Sequence, residues 1–239
     1  DRTEMIQRAL DKGVEKFFLP VIDSETHQKM LLLETEYPGK IFSMMGLHPC
    51  SVQPETWENE LQIARNYLNQ RDFVAIGEIG IDLYWDKSTL DIQVKAFEQQ
   101  IDWAIEKDLP IVIHTRESFD ETFEVLERKK HPKLRGIFHC FFGNLEQAQH
   151  AINLNFILGI GGVVTFKNGK IDQFLNEIPL EKIVLETDSP YLAPVPLRGK
   201  RNESSYVELV AGKLVDIYGK DFSEIDRITT ENALKLFKL

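Results

Sequence analysis

Hydrophobic positions recur along the chain in two alternating patterns, joined by short polar connections. Short apolar runs are typical of buried parallel strands, and apolar residues repeated every three to four positions are typical of amphipathic helices. Strands are predicted over Val14–Ile22, Ile41–Leu47, Phe73–Ile81, Pro110–His114, Arg135–Phe141, Phe156–Val164 and Ile183–Thr187. Helices are predicted over Arg2–Lys12, Ser24–Tyr37 (with Ser24 as N-cap), Thr56–Gln70, Ser88–Lys107, Ser118–Lys129, Asn144–Asn153, Ile171–Glu177, Tyr206–Tyr218 and Phe222–Leu236.

This alternation predicts an α/β fold with parallel strands, formed by a single domain over residues 1–239. A doubly wound open sheet is the rival architecture. It normally carries a glycine-rich phosphate loop after its first strand, and the sequence has none. Seven predicted strands and an opening helix favour a (β/α)8 TIM-type barrel whose first strand is missing from this chain.

Composition and charge narrow the range of partners. A 43% share of hydrophobic residues supports a packed core, and no apolar run is long enough to span a membrane. Two cysteines form no disulfide framework and there is no secretory signal, so we expect a cytoplasmic protein. The net charge of −10 disfavours broad electrostatic binding of nucleic acid, although bound cations and a few arginines can serve a narrow site.

Polar residues stand where several predicted strands end, which is where barrel enzymes place their chemistry. Glu78 shares a strand face with Val74 and Ile76, so it lies beyond two apolar side chains. His114 and His139 end successive apolar strands at the same depth. A lone Glu there is as often paired with an Arg as functional, and a lone His is more often structural than a ligand. Two histidines at matched depth reverse that expectation and favour a ligand role.

The last predicted strand adds two carboxylates on one face. Asp188 is the outermost and is the predicted ligand or base, and the deeper Glu186 is predicted to support a ligand. The predicted metal ligands are therefore Glu78, His114, His139 and Asp188. Mixed nitrogen and oxygen ligands suit Zn, Mn or Mg and the activation of water for hydrolysis.

Two further positions are candidates for substrate binding. His48 ends a strand, where it serves either a site rim or a turn cap. Arg198, Lys200 and Arg201 lie in a segment, Ser189–Asn202, that contains no acidic residue. Barrel enzymes often bind phosphate after their last strands, although an ordinary exposed loop has the same composition.

The motifs together resemble the TatD family of metal-dependent deoxyribonucleases. They are G-L-H-P (Gly46–Pro49), G-E-I-G-I-D (Gly77–Asp82), I-V-I-H-T-R (Ile111–Arg116), F-H-C-F (Phe138–Phe141), E-T-D-S-P-Y-L-A-P (Glu186–Pro194) and R-G-K-R-N-E (Arg198–Glu203). The resemblance implies a two-ion site in which Glu78 bridges the ions. It implies hydrolysis of DNA by metal-activated water, as a 3′–5′ exonuclease on single strands or 3′ ends. Asp188 is then a proton acceptor, and Arg116 and the late basic loop bind phosphate.

The sequence departs from the family pattern in places. The family's first strand ends in a His-x-His pair that these residues lack, Phe142 replaces a usual Ser, and Ser204 replaces a usual Pro. Three alternatives stay open: an amidohydrolase, an aminoacyl-tRNA ester hydrolase and a non-catalytic barrel. Many amidohydrolases bridge two metals with a carbamylated Lys, and the strands that carry these ligands contain no Lys.

Overall fold

The computed structural model describes residues 1–239 and contains seven strands and eight α-helices. The strands are β1 (Phe17–Leu19), β2 (Ile41–Ser43), β3 (Ile76–Asp82), β4 (Ile111–Arg116), β5 (Gly136–Phe138), β6 (Phe156–Ile160) and β7 (Ile183–Leu185). The helices are α1 (Arg2–Asp11), α2 (Ser24–Glu36), α3 (Trp57–Gln70), α4 (Leu90–Lys107), α5 (Phe119–Arg128), α6 (Leu145–Asn153), α7 (Val207–Tyr218) and α8 (Phe222–Phe237).

The chain divides into two compact units. The central unit is Lys16–Ile137, and the terminal unit combines Asp1–Glu15 with Phe138–Leu239. No helix of either unit is both long and apolar enough to cross a membrane.

Parallel strand pairs form the frame of the central unit. β1 pairs with β2, and β3 pairs with β4, both in parallel. Met45, just beyond β2, forms a parallel bridge to Ile76 at the start of β3. α4 packs on β3 and buries Phe97 and Ile101 completely, which leaves the strand ends to carry the polar residues.

The terminal unit is built on the parallel pair β6 and β7, against which α8 packs. The side-chain amide of Asn232 on α8 donates to the backbone carbonyls of Leu180 and Ile183, at 2.9 and 2.7 Å. The hydroxyl of Tyr218 on α7 donates to the carbonyls of Leu175 and Ile178. These bonds satisfy backbone groups of the irregular segment that precedes β7.

Two local predictions were wrong. The segment Ile171–Glu177 forms two short 3₁₀ turns instead of an α-helix, because so short a piece gains little from helical hydrogen bonding before Pro179 interrupts it. Ser24 is the first helical residue of α2 instead of its N-cap, which is Asp23. The backbone N–H and hydroxyl of Ser24 both donate to the carboxylate of Glu60, at 2.8 Å each.

Candidate metal centre

The central unit brings four polar side chains together at the ends of its strands. We call Glu78 and Asp82 on β3, His114 on β4 and His48 after β2 the central cluster. Nδ1 of His114 lies 2.9 Å from Oε1 of Glu78, and Nε2 of His114 lies 2.8 Å from Oδ2 of Asp82. Both carboxylates are buried, so each needs a donor or a cation to offset its lost hydration.

The backbone of β3 explains how both carboxylates reach one imidazole. The pairing of β3 with β4 shifts register between Ile76 and Ile79, in the stretch that contains Glu78. Gly80 pairs with His114 directly, and a Cβ on Gly80 would lie only 2.0 Å from the carbonyl oxygen of His114. Gly80 also has a φ of +144°, which favours glycine. The G-x-D end of the motif therefore leaves room for the His114 ring between Glu78 and Asp82.

The two ring nitrogens of His114 have different partners. Burial lowers the pKa of His114, but its hydrogen bonds to Asp82 and Glu78 and their charges outweigh burial, and the pKa is raised. With a cation in place of the proton at Nδ1, beside Glu78, the N–H at Nε2 would still donate to Asp82. An outer carboxylate would then orient the histidine, as in carboxylate–histidine–metal sites.

Asp82 is suited to this orienting role. Burial alone would raise the pKa of Asp82. This effect is outweighed by the hydrogen bond and charge of His114 and by the backbone N–H groups of Trp85 and Tyr84, which lower the pKa to about 2. Its Oδ1 accepts those N–H groups, at 3.0 Å from Tyr84 and 3.2 Å from Trp85. The carboxylate is thus ionised near neutral pH and held in place.

His48 contributes a donor to the central cluster. Its Nδ1 accepts the backbone N–H of Cys50 at 3.1 Å, so the neutral ring carries its proton on Nε2. That nitrogen lies 3.2 Å from Nδ1 of His114 and 3.6 Å from Oε1 of Glu78. Ligand atoms of these three residues lie within 4.8 Å of one another, and their nitrogen and oxygen donors fit a divalent cation. That tautomer makes His48 an N–H donor beside Glu78 and His114.

The terminal unit holds a second group, which we call the terminal cluster: His139, Glu186 and Asp188. Nδ1 of His139 lies 2.7 Å from Oε2 of Glu186, and Nε2 lies 3.2 Å from Oδ1 of Asp188. All three side chains are partly buried. Glu186 therefore has the position of an orienting carboxylate, and Asp188 stands beside the nitrogen that would face a cation.

The turn that carries Asp188 is held by buried polar residues that the sequence reasoning did not single out. Asp188 adopts a φ of +57°, in the left-handed region. The side-chain amide of Asn202 donates to the carbonyls of Thr187 and Tyr191, at 2.5 and 2.7 Å. Glu203 accepts a bidentate pair from Arg8, with the shortest distance 2.6 Å, and this pair lowers the pKa of Glu203 despite its burial.

The predicted phosphate-binding residues have varied surroundings. Arg116 stacks over Tyr84, with Cζ 3.7 Å from the ring centroid, and Arg198 stacks over Phe166 at the same distance. A stacked guanidinium keeps its N–H edges available for phosphate. Arg201 instead forms an ion pair with Asp1, and Lys200 is exposed.

Asp82 is the functional residue most clearly overlooked. It lies four positions after Glu78 on the same strand, and this alternation was a signal that could have found it. Its partner, His114, is 32 residues away, so only the strand pairing shows what it does.

The family model described as TatD related DNase matches residues 1–238. The chain belongs to the TatD family. YabD of Bacillus subtilis (strain 168), named as an uncharacterized metal-dependent hydrolase, is 40% identical over 240 residues, which cover 100% of this chain and 93% of YabD. YcfH of Escherichia coli (strain K12), named in the same way, is 31% identical over 243 residues, covering 100% of this chain and 89% of YcfH.

Solved structures of the family share the fold. The crystal structure of YjjV, a TatD homolog from Escherichia coli K12, matches with a TM-score of 0.93 and 28% identity, covering 100% of this chain and 92% of YjjV. A TatD family hydrolase from Entamoeba histolytica matches with a TM-score of 0.84 and 21% identity, over 99% of this chain and 89% of its own. These matches confirm the predicted TIM-type barrel fold class and the family resemblance. The chain is therefore a member of a family of metal-dependent hydrolases.

Proposed function

We propose that this TatD-family protein is a divalent-metal-dependent deoxyribonuclease that cleaves phosphodiester bonds, as a 3′–5′ exonuclease on single strands or 3′ ends. The observation that carries the proposal is the position of His114 between two buried carboxylates. Its Nε2 is held by Asp82, and its Nδ1 faces Glu78. The family description adds DNA as the substrate class. Metal-dependent hydrolysis with a narrow substrate contact is also compatible with the net charge of −10.

The residues proposed to hold the cations are Glu78 and His114 in the central cluster and His139 and Asp188 in the terminal cluster. Mg²⁺, Mn²⁺ and Zn²⁺ all accept this mixture of carboxylate and imidazole ligands, and we propose that two ions are bound. When bound, such ions acidify water and neutralise charge on a phosphate group. Asp82 and Glu186 orient the two histidines, so that each presents one nitrogen without its proton.

The other steps are assigned to the protein's own side chains. Asp188 is proposed to accept the proton of the attacking water, because its partly exposed carboxylate lies beside His139. His48 offers an N–H at Nε2, which can donate to an oxygen of the phosphate as its charge grows. Arg116, Arg198, Lys200 and Arg201 are proposed to bind the phosphates of the strand, and for Arg201 this requires release from Asp1.

The proposal is tested with a 5′-labelled single-stranded oligonucleotide and the full chain in Mg²⁺, Mn²⁺, Zn²⁺ or EDTA. We expect a ladder of products shortened from the 3′ end, abolished by EDTA and by Glu78→Gln. Glu146→Gln, an exposed carboxylate on α6, is the matched control and should leave the rate unchanged. Undiminished cleavage in EDTA would contradict the metal role. Hydrolysis of an aminoacyl-tRNA ester with intact DNA would favour the ester-hydrolase alternative.

A further inference from the structure

Two adjacent aromatic residues stand exposed directly after the central cluster. Tyr84 is 49% exposed and Trp85 is 72% exposed, and they follow Asp82 at the end of β3. A large aromatic side chain left in water forgoes the favourable free energy of burial, so an exposed pair beside a polar site indicates a contact surface. Neither residue has a part in the proposed ligand set.

The pair is held rigidly in relation to the candidate ligands. One oxygen of the Asp82 carboxylate accepts the backbone N–H groups of Tyr84 and Trp85, while the other faces His114. A single side chain therefore positions both the ligand histidine and the aromatic pair. Farther along the loop, Asp86 accepts the N–H and hydroxyl of Ser88, at 2.8 and 2.6 Å, which closes the turn before α4.

The two rings and the Arg116 guanidinium also contact one another in a defined geometry. The Tyr84 and Trp85 rings meet edge to face, with centroids 4.9 Å apart and an interplanar angle of 89°. The Arg116 guanidinium lies 3.7 Å from the Tyr84 centroid and 5.6 Å from that of Trp85. Arg116 thus braces Tyr84, and Tyr84 braces the indole, while Trp85 keeps the largest exposed surface of the three.

The charge of the protein makes a stacking contact more valuable than it would be on a basic surface. With a net charge of −10, most of the surface repels phosphates, so electrostatic attraction cannot supply most of the binding energy. Aromatic stacking on a nucleobase is independent of net charge and tolerant of sequence, because every base has a π-face. It requires an unpaired base, since a base inside a duplex is already stacked on its neighbours.

We propose that Trp85, braced by Tyr84 and Arg116, is the stacking platform for the nucleobase next to the scissile phosphate of single-stranded DNA. This inference rests on the proposed function and specifies its substrate: an unpaired strand whose terminal base is intact. The guanidinium edges of Arg116 lie beside the same platform and are available to the adjoining phosphate. The platform favours single strands over duplexes and discriminates little between the four bases.

The test is a double-mutant-type cycle, in which the Trp85 side chain and the terminal base are removed separately and together. Wild type, Trp85→Ala and Trp85→Phe are assayed on a single-stranded oligonucleotide and on the same oligonucleotide with an abasic tetrahydrofuran unit at the 3′ end. On the intact strand, Trp85→Ala should raise KM by about 5- to 150-fold, which corresponds to about 1–3 kcal/mol at 1.4 kcal/mol per tenfold. Trp85→Phe should recover part of the loss. On the abasic strand, wild type and Trp85→Ala should have equal KM values.

Controls separate a stacking role from a structural one. Phe222→Ala removes another exposed aromatic side chain, at the start of α8 in the terminal unit, and should leave KM unchanged on both strands. The Mn²⁺ affinity of Trp85→Ala should equal that of wild type, because the backbone N–H that binds Asp82 remains. An equal penalty on intact and abasic strands, or no penalty, would overturn the platform while leaving the nuclease proposal standing. Failure of wild type to cleave DNA at all would overturn both.

Discussion

Replacing Asp82 by Asn tests whether an outer carboxylate determines which nitrogen of His114 can bind a cation. In the native chain, both oxygens of Asp82 accept hydrogen bonds: from His114 at 2.8 Å and from the backbone of Tyr84 and Trp85 at 3.0 and 3.2 Å. An Asn side chain has nearly the same shape, but one of its two polar atoms is an NH₂ donor. If its oxygen keeps the backbone bonds, its NH₂ faces Nε2 of His114. The imidazole proton then moves to Nδ1, beside Glu78, and blocks the ligand atom.

The size of the expected loss in metal affinity follows from the hydrogen bond between His114 and the charged Asp82 carboxylate. A hydrogen bond to a charged group contributes about 1.5–3 kcal/mol, and each 1.4 kcal/mol corresponds to a tenfold change in an equilibrium constant. We therefore expect Asp82→Asn to weaken divalent-metal binding by about 10- to 100-fold, the range typical of an outer partner of a ligand histidine. Because the pKa of Asp82 is lowered to about 2, the native carboxylate is ionised near neutral pH, where the titration is made.

The assay is calorimetric titration of the metal-free full chain with Mn²⁺. Asp86→Asn is the matched control, because Asp86 is exposed in the same loop and its side chain accepts hydrogen bonds from Ser88. It should bind Mn²⁺ like wild type. An Asp82→Asn affinity within about twofold of wild type, with the fold intact by circular dichroism, would refute the reasoning about the tautomer.

Three further predictions concern histidines. Because the pKa of His114 is raised, Mn²⁺ must displace its proton; affinity should rise with pH through that pKa, and calorimetry in buffers of different ionisation enthalpy should detect the released proton. The folding stability of the metal-free protein should have the opposite pH dependence. The contribution of charged His114 is complete below about pH 6.5, the ordinary pKa of histidine, and falls as pH rises through the folded pKa. His139→Ala should lower DNA hydrolysis by orders of magnitude with an unchanged circular dichroism spectrum; wild-type turnover would exclude its ligand role. His27 is 1% exposed, neither of its ring nitrogens has a hydrogen-bond partner, and burial lowers its pKa, so wild type should lose stability as pH falls below about 6.5. In His27→Leu, urea unfolding over this range should show a smaller loss; an equal loss would contradict the assignment.

Local patterns predicted most of the elements because they are encoded by residues close in sequence. Long amphipathic helices such as α3 and α4 begin and end within two residues of their predicted bounds. Strand ends were predicted less well: Phe156–Val164 stops at Ile160, because Gly162–Thr165 turns away, whereas Pro110–His114 continues to Arg116. A Cβ at Gly162 would lie 2.1 Å from the carbonyl of Leu192, a contact across 30 residues that no local pattern contains.

The candidate ligands were predictable and their partners were not. Glu78, His114 and Asp188 follow apolar runs, so strand ends and side-chain alternation were enough to select them. The register shift of β3 beside Glu78 depends on strand pairing, and the tautomer that makes His48 a donor depends on one backbone N–H. Such features are decided by packing between distant segments, which composition and periodicity do not report.

Each cluster places an imidazole between two carboxylates, but with the nitrogens exchanged. Asp82 holds Nε2 of His114, which leaves Nδ1 beside Glu78. Glu186 holds Nδ1 of His139, which leaves Nε2 beside Asp188. The two histidines look equivalent in the sequence, since each follows a buried strand. Their carboxylate partners approach from different positions, and this alone makes a different nitrogen face the second carboxylate in each cluster.

That difference has a measurable consequence. The amide of Asn places a polar atom close to where Nδ1 of a histidine lies, whereas the longer Gln reaches the position of Nε2. At position 114 we therefore expect His114→Asn to retain more Mn²⁺ affinity than His114→Gln, and at position 139 we expect His139→Gln to retain more than His139→Asn. The measurement is Mn²⁺ titration of all four variants, with unfolding midpoints as the control for stability. If the same variant, Asn or Gln, binds Mn²⁺ more tightly at both positions, side-chain length decides the affinity. The assignment of Nδ1 to His114 and Nε2 to His139 as the cation-facing nitrogens would then be wrong.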